Sequence, residues 1–140
     1  MAMADERGVQ ITARQGLLWG LAGFITVHFA PAIGLPPELP GSSAADVTIR
    51  QVWWFSTVAA TGLAIWLIAF GSNWIVWTLA AVLLLAPHVI GAPHPDMFHG
   101  TVPPELGGMF AGRALGVGMA TWVLLGLFAA YFWQREGEHA

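Results

Sequence analysis

Four apolar runs follow one another, at roughly 15–33, 52–70, 74–90 and 112–133, and each is long enough to cross a hydrocarbon layer of about 30 Å. In lipid the backbone has no water to bond to, so a run of this length satisfies its own N–H and C=O groups as a helix. A mean hydropathy of +0.66 and the complete absence of lysine are wrong for a soluble globule. The chain is therefore expected to be an all-α integral membrane protein with four transmembrane helices.

Around these runs, 1–14 reads as a polar N-terminal tail, 15–133 as a single transmembrane domain and 134–140 as a C-terminal tail. The first run is not followed by a small-residue cleavage site and a polar chain, so it reads as a retained span. Arg7, Arg14 and Arg135 fall on the side of the termini and Arg50 and Arg113 on the other. That bias favours cytoplasmic termini. Trp19, Trp74, Trp77, Tyr131 and Trp133 are expected at one interface and Trp53 and Trp54 at the other.

The connections are unequal. Residues 71–73, Gly-Ser-Asn, allow only a tight hairpin, with Gly71 suited to a left-handed C-terminal cap and Asn73 to an N-cap. The other two connections are long and hold all nine prolines. They are also related. APAIGLPPELPG (30–41) is echoed by APHVIGAP (86–93) and, after an insertion, by VPPELGG (102–108). An internal repeat of helix, proline-rich elbow and helix follows, about 15–70 and 74–133. Each unit crosses twice, so the two repeats run parallel. Pro-Pro-Glu is expected to open a helix, with Glu38 and Glu105 at its positive end. Ser43 with Asp46 has capping-box spacing, and Asp46 and Arg50 are four apart. Gly108, Gly112, Gly116 and Ala120 form a ridge of small residues that would let a neighbouring helix approach closely.

The insertion, HPDMFHGT (94–101), is more than a connection between two helices requires, and it carries the chain's densest polar chemistry. His88, His94 and His99 are spaced by six and five, and Pro93 and Pro95 keep the segment from being one helix. Neutral imidazoles with Asp96 make a donor set for borderline divalent ions such as cobalt, nickel or zinc. The competing reading is a polar loop whose histidines cap helices or bond to water. His28, three residues before Pro31 and inside the first run, is either an inner metal ligand, a heme or chlorin ligand paired with His88, or a histidine bonded to a carbonyl freed by Pro31. Glu38 and Glu105 would draw cations to the outer mouth or simply stabilise helix ends. Arg50 and Arg113 read as interfacial anchors or as partners of those acids, Met109 and Met119 as packing residues, and Met97 as a soft ligand candidate.

The chain has no cysteine, so any metal must use histidine, carboxylate, methionine or backbone oxygen. Neither a phosphate-binding loop with lysine nor a GxSxG elbow is present, so an enzyme has nothing to stand on. A net charge of -3 with scattered arginines gives no patch for nucleic acid.

GLLWGLAGF (16–24), APAIGLPPELPG (30–41), AADVTIRQVWW (44–54), PHVIGAPHP (87–95) and VPPEL (102–106) together resemble the CbtA family of cobalt transporter subunits. The resemblance covers about 16–133 and implies a bacterial inner-membrane protein that carries cobalt(II) for cobalamin biosynthesis. It further implies a small single-span CbtB-like partner, with a homo-oligomer as the other way to complete a pathway. On the matching positions His88 and His94 are the implied metal-handling residues. Family members carry a further membrane segment ahead of the stretch matching GLLWGLAGF, so the resemblance implies a short or truncated member. The competing class is a non-transport membrane subunit, binding heme or serving as a scaffold.

Overall fold

The structure, a computed structural model, describes residues 11–97 and 100–137, and every regular element among them is helical. In chain order these are α1 (Ala13–Gly34), α2 (Val47–Phe70), α3 (Trp74–Ile90) and α4 (Pro104–Gly137). α1, α2 and α4 are long and apolar enough to cross a membrane, and α3 is a shorter apolar helix of 17 residues.

Local chemistry sets the ends. Thr12 Oγ1 accepts from the Gln15 amide and opens α1. Asp46 caps α2, accepting from the amides of Thr48 at 2.9 Å and Ile49 at 3.3 Å. The expected Ser43 cap is thereby displaced, and α2 begins five residues before the apolar run does. Asn73 caps α3 through the Val76 amide. Gly71 is extended (φ -76°, ψ 148°) rather than left-handed. Glycine is needed there because a Cβ would meet Val76 Cγ1 at 2.5 Å. α4 begins at Pro104, eight residues earlier than the apolar run, since proline at a first helical position loses no bond and Glu105 sits in the first turn. Gly107, Gly108 and Gly112 do not interrupt it.

α1 is not uniform. It is α-helical over Ala13–Phe24, π-helical over Ile25–Phe29 and α-helical again over Ala30–Gly34. The cause is Pro31, which has no N–H for the Val27 carbonyl and whose ring crowds it. A widened turn relieves both.

Two compact units divide the chain, one from Met1–Phe24 with Gly116–Ala140 and one from Ile25–Leu115. In the first, α1 crosses α4 with almost no side chain between them. A Cβ on Gly16 would stand 2.6 Å from Ala130 Cβ, one on Gly126 would overlap the Gly16 carbonyl, and one on Gly23 would lie 2.6 Å from the Trp122 ring. Gln134 Nε2 donates to the Ile11 carbonyl. The close approach thus uses Gly16, Gly20 and Gly126. The ridge expected to make it, Gly108, Gly112 and Gly116, has nothing within 4 Å of where its Cβ atoms would be, and Ala120 is exposed. Met109 and Met119, expected to pack, are about half exposed.

In the second unit the three-residue link folds α2 and α3 into a hairpin, and α2 also packs on the π-turn and on Ala30–Gly34. Its buried face is Trp53, Thr57, Thr61 and Ala64, spaced at helical intervals. Trp53, expected at the membrane interface, is 8% exposed.

Candidate functional site

The polar residues singled out in the sequence gather around the two proline-rich connections, which meet in the second unit. Gly100 lies within 3.6 Å of the Gly41 carbonyl, measured from the position of an added Cβ, and Gly41 within 3.3 Å of Thr101 Oγ1 by the same construction. Gly41 has φ +92°, a left-handed conformation that favours glycine.

Trp53 ties the connections together. Its Nε1 donates to the Pro87 carbonyl at 3.3 Å, and its ring edge fills the place of a side chain at Gly34, 2.7 Å from where the Cβ would be. Ala92 closes the same spot at 2.6 Å. The two elbows end their helices alike. The Pro31 carbonyl accepts from the Leu35 amide at 2.8 Å and the Pro87 carbonyl from the Gly91 amide at 3.0 Å. Gly91, at φ +88°, then turns the chain out of α3.

Below the first connection lies a cavity of about 720 Å³, whose wall includes His28, Pro31, Glu38, Arg50, Gln51 and Trp54. Its size is that of a small-molecule site. His28 reaches it from the π-turn. Glu38 does not sit at a helix N-terminus as expected, because α2 starts at Val47. Its Oε2 instead accepts from Arg50 Nη2 at 3.2 Å, and that pairing takes Arg50 away from Asp46. The two side chains are 32% and 29% exposed, so the pair is screened and worth well under ~1 kcal/mol of stability. Its effect is geometric. One carboxylate oxygen is held by the guanidinium and the carboxyl group is kept at the cavity wall.

The other candidates are placed differently. His88, half-buried, stands edge-on to Trp53 with ring centroids 6.3 Å apart. His94, Asp96 and Met97 are exposed on the non-helical stretch after α3, as the prolines required. Glu105 is exposed in the first turn of α4. His99 lies outside the described residues. The structure therefore brings His28 and Glu38 to one cavity and leaves His88, His94, Asp96 and Glu105 apart from it. Among the described residues no three of histidine, aspartate and glutamate converge as a metal-binding group.

Sequence reasoning passed over Gln51 and Trp54 on the cavity wall and the pinning role of Trp53. The signal for Trp53 was its pairing with Trp54 at the start of α2. Two adjacent residues on a helix are about 100° apart, so both cannot face one environment. A family described as probable cobalt transporter subunit (CbtA) matches residues 1–134. Neither a curated protein nor a solved structure matches the chain.

Proposed function

The chain belongs to the CbtA family of probable cobalt transporter subunits, and from that premise we propose that this multi-pass membrane protein takes up divalent cobalt through the elbow region. The observation that carries the reading is the cavity under the first connection, where an imidazole on a π-turn and a carboxylate held by arginine share one wall. π-turns within α-helices recur at functional positions. A histidine there suits a borderline divalent ion, and cobalt, nickel and zinc all accept such donors.

His94, Asp96 and His99 make the first contact with the ion, and His88 and His28 lead it inward. Glu38 and Glu105 raise the local cation concentration. Exposure of His94 and Asp96 fits a capture role, since an ion arriving from water must be met before it is stripped. The repeat of two helix-elbow-helix units is supported by the matched carbonyl caps at Pro31 and Pro87. The protein is placed in the bacterial inner membrane, termini cytoplasmic, working with a small single-span CbtB-like subunit or with further copies of itself to supply cobalamin biosynthesis.

The test is a visible absorption spectrum of detergent-purified protein before and after adding cobalt, beside the His94→Ala/His99→Ala and His28→Ala variants. Cobalt d-d bands in the wild type that vanish in the double variant support loop capture, and cobalt accumulation in cells must fall with them. A Soret band already present before cobalt is added moves the protein to the heme-binding class. Unchanged cobalt bands in both variants overturn the ligand assignment.

A further inference from the structure

The part of α2 that lines the elbow cavity has a chemistry of its own. Val47, Arg50, Gln51 and Trp54 are all on the cavity wall, and offsets of three, four and seven residues put them on one face of the helix. Three of the four carry N–H donors. Arg50 and Trp54 can only donate, and Gln51 can donate or accept. Among the described residues Arg50 makes one side-chain hydrogen bond, from Nη2 to Glu38 Oε2, and the side chains of Gln51 and Trp54 make none. A guanidinium has five N–H groups, so most of those on Arg50 are available to a ligand.

Such a face does not suit a bare divalent cation. Its donors have no lone pair to offer, and the carboxylate of Glu38 is already matched by the guanidinium, so the pair adds no net negative charge. An ion stripped of water against this wall would leave its charge uncompensated. The face does suit an anion, because hydrogen bonds from arginine to a carboxylate are among the strongest polar contacts a protein makes. The same cavity is lined by His28 of the π-turn, which brings the imidazole that a borderline metal accepts. A ligand that answers both chemistries carries a metal and carboxylates together.

Size points the same way. Six waters around a divalent ion, at roughly 30 Å³ each, take up only about 180 Å³. The cavity, at about 720 Å³, leaves most of its space to something larger, and clefts of that volume are typical for small organic molecules.

We propose that the elbow cavity takes cobalt as a complex with a small oligocarboxylate of the citrate type, its metal bound by His28 and its carboxylates by Arg50, Gln51 and Trp54. This rests on the cobalt reading and alters what is carried, from a cation to a chelate of net negative charge.

The experiment is equilibrium dialysis of the detergent-purified full chain against radioactive cobalt and radiolabelled citrate, singly and together, for the wild type, Arg50→Gln, Gln51→Leu and His28→Ala. The wild type should retain the two labels in equal amounts, and far less of either alone. Arg50→Gln should weaken retention of the complex by roughly tenfold or more, as expected for a lost charge-assisted bond, and Gln51→Leu by less. His28→Ala should lose the part of citrate retention that depends on cobalt. Gln51→Leu disturbs no ion pair, so it keeps the test decisive if Arg50→Gln does not fold. Cobalt retained without citrate overturns the proposal and leaves the cobalt reading standing. Citrate retained equally with and without cobalt also overturns it and marks an anion site. Full retention of the complex by both α2 variants removes the donor face from the site and overturns it as well. Retention of neither label by the wild type overturns both readings.

Discussion

The crossing at Gly16, Gly20 and Gly126 and the elbow region around Trp53 solve opposite problems. At the crossing, side chains are deleted until backbone meets backbone, and close contact with small-residue surfaces is what holds helices together in lipid. In the elbow region, Pro31 and Pro87 each withhold an amide from the helix, Trp53 pins the two connections together, and a cavity with an ion pair on its wall stays open along the first of them. One region is built to exclude everything, the other to leave room. Within one short chain, glycine serves the first purpose and proline the second.

Substitutions sharpen the contrast when taken from the largest expected effect downward. Trp53→Ala should cost about 3 to 5 kcal/mol, since it removes a buried aromatic and leaves the Gly34–Ala92 contact unsupported. Its thermal melt should fall most of all, and a wild-type melt would mean the elbows stand without their pin. Gly126→Leu should cost ~3 kcal/mol or fail to yield monodisperse protein, because the new side chain occupies the Gly16 carbonyl's place. Gly112→Leu on the same helix is the control, expected within ~0.5 kcal/mol of wild type. Equal losses at the two glycines would show that the open ridge is covered by something in the membrane. Arg50→Gln should change the melt by under ~1 kcal/mol yet lower cobalt accumulation, because Glu38 loses the partner that orients it. If accumulation is untouched, the cavity carboxylate has no part in uptake.

The helices were largely legible before the structure, because apolar length is a strong signal and Asn73 and Pro104 announce their own ends. What escaped were departures decided by competition between neighbours. Asp46 outcompetes Ser43 for the cap because its carboxylate reaches two amides, and Glu38 takes Arg50 from Asp46 across twelve residues. Neither outcome has a local pattern. The glycine ridge illustrates the same limit, since spacing identifies a face that a helix could approach without saying which face is approached. For the site, residue type was readable and proximity was not. His28 and Glu38 meet at a cavity through a π-turn that depends on Pro31, while His88 and His94 are not on its wall.

α3 has a consequence for the bilayer itself. Seventeen residues at about 1.5 Å each give a helix of ~26 Å, at the lower limit of what crosses a ~30 Å hydrocarbon layer, where α2 has 24 residues. The tight link at 71–73 keeps the two side by side, and a span shorter than the layer is accommodated by local thinning of the lipid, by flanking residues reaching to the interface or by association with further helices. Acyl-chain length thereby becomes a variable of this protein. Shorter-chain lipids relax the deformation at α3, and thicker bilayers intensify it at the last turn, which holds Pro87 and His88 and ends at Ile90.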